Sequence, residues 1–405
     1  MRQRIKKQVG KWFFLNLLLI FVITLAGCGQ QAQTASQPSL EELENIWWGD
    51  NPELGTGPVT YEVLPLEPIY FSLVSPLGHL AGSHPIPTDH VYFELSRTDL
   101  GATVEGFGKP VYAPAKGVIV HVKYGINAGY PDYTVKIKHT NNFVTVFGHL
   151  STVEPFIMEH LAGYDLEHLP EPNYLYVTVE AGQVIGKTAA EYAQSAALDM
   201  YTGDRSVTHF IHPEKFGPSI PHAVCPFEYF KDDLKNYLYA NKVLRTKEPR
   251  GGEIDYDLPG KLVGNWLHES YERSANQRAS DASEQFSFAY DMYDPDYLRI
   301  SVASIVWAGD FDSGSLIYRV KGNGPDFKYI DVASGEVVYE LQNCIEGQES
   351  VYKDDPRYPK PSDEVVAKLL VKMESDERIK VEYFRELTPG FDNPQFTSNA
   401  KYFTR

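Results

Sequence analysis

Histidines and carboxylates are the side chains of this 405-residue chain that can carry chemistry, and the ones that matter gather in four places. A Gly/Pro-rich loop, PLGHLAGSHPIPTDH, holds His79 and His84 and runs into His90, with Glu94 four residues on. His149 closes the apolar run TVFGHL, and Asp199 stands in SAALDMYT. His209, His212 and His222 follow downstream. Imidazoles and carboxylates ligate metal ions or pass protons. The HFIH spacing of His209 and His212 chelates on a helix, but Pro213 follows and the segment reads as loop. Nucleophile chemistry finds no support: there is no GxSxG, and neither Cys225 nor Cys344 lies in a recognisable motif. A P-loop and a dinucleotide fingerprint are also missing.

Strands must position these residues. From Tyr61 on, apolar and β-branched runs of five to eight residues alternate with Gly, Pro and Asn turns. GKPVYAPAKGVIVHVKYG reads as two strands around the Pro114–Gly117 turn. DYTVKIKHTNNFVTVFGHL reads as a hairpin turning at Thr140, Asn141 and Asn142. Alternation predicts that Val135, Ile137 and His139 share one face with Val144, Val146 and Gly148 of the facing strand, with His139 a strand residue and not a ligand. A helical stretch, PFEYFKDDLKNYLYANKVL, precedes a Gly-, Pro- and charge-rich segment. Beyond it LRISVASIVWAG, GSLIYRVKG, FKYIDVASGEVVYELQ, EVVAKLLVKM and RIKVEYF read as strands, with turns at Ala333–Glu336 and Ser375–Arg378. HESYERSANQRASDASEQ reads as a short helix or a loop. The expected fold class is all-β, mainly antiparallel: an open sheet, then a small barrel or sandwich.

GKPVYAPAKGVIV, TVKIKHTNNFVTVFGHLS and VEAGQVIGK, in this order and at these spacings, resemble the core of the lysostaphin- or LytM-type metallopeptidases. The resemblance covers roughly residues 75 to 215. It implies a strained antiparallel sheet with a groove across it, three zinc ligands and a helper histidine. Two ligands come from an HxxxD segment and one from the second histidine of a later HxH. Here HxxxD falls on His90 to Glu94, so glutamate replaces aspartate. HxH falls on Ala197-Leu198-Asp199, which has lost both imidazoles. His149 matches the helper position, and His84 a loop bordering the groove. Asp89 is expected to point away from His90 in an extended segment. Three readings stay open. His90, Glu94 and Asp199 bind a metal beside His149, zinc or a harder ion such as manganese. The groove holds no metal, the leading expectation, with no cofactor. Or His209, His212 and His222 supply substitute ligands. Gly264-Asn265-Trp266 and the terminal Tyr402-Phe403-Thr404-Arg405 resemble a lipocalin-type barrel, where a tryptophan of the first strand packs on an arginine of the last.

The N-terminus reads as an address. Five basic residues precede an apolar run, and Leu25-Ala26-Gly27-Cys28 resembles a bacterial lipobox with Cys28 as the lipidated residue. The expected parts are a signal peptide over 1–27, a tether over 28–60, a peptidase-type domain over 61–245, a linker over 246–258 and an all-β domain over 259–405. Trp47 and Trp48 are expected to dock on a domain. Without the signal, 32 basic residues face 54 acidic ones, a net charge near −22. That excludes nucleic acid and anionic polymers as electrostatic partners. A Cys225–Cys344 disulfide is not expected, since nothing brings the two together. The chain is therefore expected on the outer side of a bacterial membrane, held there through Cys28. Its leading function is a pseudo-peptidase that binds peptidoglycan or a wall hydrolase. The alternatives are an active metal-dependent endopeptidase and an apolar-ligand carrier working through the second domain.

Overall fold

A computed structural model describes residues 39–405 apart from 82–83, 167–168, 170–174, 273–282, 308–314, 323 and 348–361. Cys28 and most of the HESYERSANQRASDASEQ segment lie outside the described residues. The fold is mainly antiparallel β, in two parts, with a helix over Asp232–Asn241 where the sequence reads as helical. The first has β1 (Phe71–Ser75), β2 (His90–Leu95), β3 (Pro110–Tyr112), β4 (Gly117–Asn127), β5 (Tyr130–Thr140), β6 (Phe143–Leu150), β7 (Thr152–Val153), β8 (Val177–Val179), β9 (Val184–Lys187) and β10 (Ala197–Asp204). Seven of them form an open sheet in the order β1-β2-β10-β6-β5-β4-β8, and β3-β9-β7 form a small second sheet. The second part has β11 (Gly264–His268), β12 (Gln285–Tyr290), β13 (Leu298–Ala303), β14 (Ser315–Val320), β15 (Glu336–Asn343), β16 (Ala367–Ser375), β17 (Arg378–Arg385) and β18 (Lys401–Thr404), closed into an eight-stranded barrel. Among the described residues no helix is long and apolar enough to cross a membrane.

The insertion of β10 between β2 and β6 builds the groove. Both its edges are paired, so its backbone is satisfied and its register is set twice. Asp199 stands opposite Tyr92 on β2 and Gly148 on β6, while Tyr92 stands opposite Ser75 on β1. Ser75, Tyr92, Asp199 and Gly148 thus form one row across four strands on one face.

The hairpin of β5 and β6 departs from the expected facing. Val135 stands opposite Phe147 and Ile137 opposite Thr145, while Val144 and Val146 stand opposite Lys138 and Lys136. Only Asn141 and Asn142 form the turn, because Thr140 is already paired with Phe143. A bulge at His139, between the Thr140–Phe143 and Lys138–Val144 pairs, then shifts the register by one and sets every later β6 side chain on the face opposite to the expected one. The core face is therefore Val135, Ile137 and His139 against Phe143, Thr145 and Phe147, all buried. His139 Nδ1 donates to the Lys116 carbonyl at 2.8 Å, and Nε2 meets Thr145 Oγ1 at 2.9 Å. Burial pushes this imidazole down to about 4. An unfolded histidine titrates near 6.5 and so binds its proton first. The stability His139 contributes is thus complete above that value and falls as pH drops from about 6.5 to about 4, by about 1.4 kcal/mol per pH unit. Urea titrations across this window should show the loss, and a His139→Gln variant should reduce its slope by about that amount. An unchanged slope in that variant would refute the assignment.

On the other face, a helix α1 (Leu40–Trp48) covers the far end of β6 and β10. Ser39 and Glu42 form a capping box at its start. Trp48 is buried and its indole N–H donates to the Pro218 carbonyl at 2.8 Å. Trp47 meets the Tyr201 ring edge-on at 5.1 Å. Asn141 then ties the Asn51 and Leu54 carbonyls to the hairpin turn at 3.0 Å each. From Ser39 onward, the stretch expected as tether is therefore packed against the sheet.

In the barrel, Trp266 is fully buried under the Arg405 guanidinium at 4.3 Å, and Arg405 also donates to the Val263 carbonyl at 2.6 Å. Phe288, Phe327 and Tyr339 stack on one another inside. FKYIDVAS is not a strand: Asp326 and Asp331 cap two short 3-10 turns with their side chains, and β15 begins only at Glu336. No disulfide joins Cys225 and Cys344. Sheet and barrel belong to one compact unit. Leu80, in the loop between β1 and β2, is buried in the barrel's hydrophobic cluster. Ser287 Oγ of β12 donates to the Pro85 carbonyl of the same loop at 2.9 Å.

Candidate functional site

Alternation along β2 puts His90, Tyr92 and Glu94 on the groove face, each half-buried between buried Val91, Phe93 and Leu95. Along β10, Ala197 and Asp199 share that face, with Ala197 opposite Glu94. His149 reaches the groove differently. It has the wrong parity, because Gly148 already occupies the row. A left-handed backbone, φ 60° at His149, swings its ring round to the Asp199 side. Such a conformation is uncommon for a residue with a Cβ and marks a place held by its surroundings.

Three of the four expected residues converge. Asp199 Oδ2 lies 3.5 Å from His90 Nε2 and 3.3 Å from His149 Nε2. Each ring is backed by a second carboxylate: His90 Nδ1 meets Asp89 Oδ1 at 2.9 Å, and His149 Nδ1 meets Asp132 Oδ1 at 3.1 Å. The result is a chain of alternating carboxylates and imidazoles, Asp89-His90-Asp199-His149-Asp132. Asp89 does not point away as expected, because the residue before the strand lies outside its strict alternation. The fourth residue, Glu94, stands apart. Its Oε1 accepts from Ser75 Oγ at 2.9 Å, and Ser75 Oγ is also 2.7 Å from the hydroxyl of Tyr293, a barrel residue.

The electrostatics follow this wiring. Hydrogen bonds to Asp132 and Asp199 raise His149 to about 10. Burial pulls His90 down, but Asp199 and Asp89 outweigh it and leave it raised. Asp199 is pushed up by burial and pulled further down by His90 and His149, ending below the usual carboxylate range. Burial lifts Glu94 to about 7, with Ser75 opposing. Burial also drives His79 down to about 4 and lowers His84. The carboxylates of the chain thus favour the protonated form of both rings, most strongly at His149.

Zinc needs unprotonated ring nitrogens and converging donors. Here both Nε2 atoms face the one Asp199 carboxylate, at 3.5 and 3.3 Å, and Glu94 is turned to Ser75. Among the described residues no group of three or more His, Cys, Asp or Glu side chains is disposed to hold a metal ion. The set expected to bind zinc or manganese does not fit one. The substitute histidines do not assemble either. His209 pairs with Asp255 at 3.0 Å, His212 with Glu214 and Glu377 at 3.1 Å, and His222 Nδ1 donates to the Val207 carbonyl at 2.9 Å.

The groove holds a cavity of about 370 Å³ lined by Ser75, Tyr92, Glu94, His149 and Asp199, by His79 and His84 from the loop, and by Met292, Tyr293, Ile345 and Glu346 from the barrel. The His84 ring lies 5.7 Å from that of His90. Sequence reasoning missed Asp132, Ser75, Tyr293 and Glu346. Asp132 lies 17 residues from His149 across a hairpin, a pairing that register alone could suggest. The barrel residues carry no local signal.

Residues 87–159 match the model of Peptidase family M23. No curated protein matches the chain. Among solved structures, a zinc-containing peptidase from Vibrio cholerae is 19% identical, with 36% of this chain and 37% of that chain covered and a TM-score of 0.24. The catalytic domain of the prophage-encoded M23 protein EnpA from Enterococcus faecalis, solved as a point mutant, is 17% identical, with 35% and 86% covered and a TM-score of 0.23. A SpoIIIAH–SpoIIQ complex matches at 16% identity, with 37% and 84% covered and a TM-score of 0.20. The chain thus spans only about a third of the first of these. Residues 87–159 are thus similar to Peptidase family M23, while among the described residues no His, Cys, Asp or Glu cluster is disposed to hold a metal ion there.

Proposed function

We propose that the protein is a pseudo-peptidase, tethered to the outer side of a bacterial membrane, that binds peptidoglycan peptides or a wall hydrolase through its groove. The observation carrying this reading is the position of Asp199. A carboxylate stands where an M23-type site requires an imidazole, and it closes the site by pairing with His90 and His149. Hydrolysis needs an ion to acidify its water and a preorganised oxyanion donor; loss of one such donor alone costs roughly 10²–10³ in rate. Binding needs neither. The groove itself persists, with polar groups from four strands converging on it.

In this reading residues 1–27 are removed, Cys28 is lipidated, and residues 29–38 lead to the docked α1. Residues 61–245 form the binding domain and 246–258 join it to the barrel of 259–405. His84, His90, Glu94, His149 and Asp199 line the binding groove and none acts on a scissile bond. The stacked aromatic interior of the barrel gives no support to a carrier role. Detergent-solubilised full-length protein should be retained on purified sacculi and release no new amino groups from them. Failure to be retained would remove the wall-peptide branch of the reading, and released amino groups would replace binding with catalysis.

A further inference from the structure

We propose that the barrel closes one end of the groove, so that the site receives the free end of a peptide and refuses a peptide that runs on past β1. This rests on the reading of the groove as a binding site. The row Gly148, Asp199, Tyr92, Ser75 gives a ligand lying across the strands its track, and Ser75 is its last residue. Directly on Ser75 sits Tyr293, its hydroxyl 2.7 Å from Ser75 Oγ. Met292, Tyr293 and Glu346 are all buried at this end, and Glu346 Oε2 accepts from the Leu80 backbone N–H at 3.2 Å, tying the roofing loop to the same wall.

The wall is braced. Asp291 Oδ1 accepts from the Tyr293 and Asp294 backbone N–H groups at 2.9 Å each, and its Oδ2 meets Arg299 at 2.6 Å. Arg245, from the segment between sheet and barrel, donates to the Asp291 and Met292 carbonyls at 3.3 and 3.1 Å. A through-running ligand would have to displace Tyr293 together with these bonds. The cavity of about 370 Å³ is sized for a few residues. It sits near the lower end of the roughly 300–1,000 Å³ usual for small-ligand sites.

The test uses full-length protein and two probes: a synthetic linear wall stem peptide, and the same peptide cyclised head to tail, which has no end. Calorimetry should show the linear form binding about tenfold or more tighter than the ring, a gap of about 1.4 kcal/mol or more. Tyr293→Ala should bring the two within about twofold, while Tyr293→Phe, which keeps the ring in place, should preserve the gap. Equal binding of both probes to the natural chain would overturn the proposal, as would a gap untouched by Tyr293→Ala. Should that variant not fold, the natural chain and Tyr293→Phe still decide. If sacculi are retained but neither peptide binds, the dead-end pocket is wrong while wall binding stands. If sacculi are not retained, the underlying reading has failed instead.

Discussion

A variant carrying Glu94→Asp, Ala197→His and Asp199→His should bind zinc at about one equivalent, where the natural chain should hold almost none. Residues 197 and 199 already lie on the groove face of β10, so two imidazoles there would reach the same space that Asp199 now occupies. His90 would exchange its carboxylate partner for the ion, with Asp89 still behind its Nδ1 in the arrangement that orients metal-bound histidines. Aspartate at 94 is too short to keep the bond to Ser75 and frees a carboxylate for the same point. With free zinc at 100-fold its dissociation constant, folding stability should rise by about 2.7 kcal/mol, visible as a higher melting temperature. Glu94→Asp alone should show neither effect, because β10 would still offer one satisfied carboxylate. Elemental analysis finding one equivalent of zinc in the natural chain would overturn the degenerate assignment at once.

Arg299→Ala should cost about 3–5 kcal/mol, the largest loss expected from any single charged residue here. Arg299 and Asp291 are both essentially inaccessible to solvent, with side-chain exposures of 0% and 1%, and their closest atoms are 2.6 Å apart. Truncating the arginine strands a carboxylate in a dry interior, where water cannot replace the lost partner. The Asp291 oxygens also accept from the backbone N–H groups of Tyr293, Asp294 and Gly347, so the loss reaches the turn that these bonds hold. Denaturant unfolding of natural and variant chains measures the loss, and a change below about 1 kcal/mol would show that the pair is not sealed from water. Because the same carboxylate holds the turn bearing Tyr293, the variant should also lose the discrimination between linear and cyclic peptides.

Much of this architecture was legible along the chain. Two-residue alternation and turn residues marked the strands of both parts, since period-2 burial leaves a local signature. The tryptophan of Gly264-Asn265-Trp266 and the terminal Arg405 were visible as partners before the barrel brought them to 4.3 Å. The facing of β5 and β6 was not legible, because a single bulged residue, His139, shifts the register behind the Asn141-Asn142 turn and inverts a whole strand, and a bulge leaves no mark in the alternation. FKYIDVAS failed for a related reason: two aspartates bond to nearby backbone and outcompete the ladder.

The sequence by itself determined which side chains the groove could own. Ala197 cannot ligate, Asp199 cannot act as an imidazole, and no fold changes that chemistry. Tertiary structure alone decided what the remaining groups do. It gave His149 a left-handed backbone and so access to the groove, set Asp89 and Asp132 behind the rings, turned Glu94 to Ser75, and laid Tyr293 from over two hundred residues away across the end of the row. Side-chain identity is local, whereas protonation and access depend on neighbours that only long-range strand pairing and the docking of the barrel bring within a few ångströms.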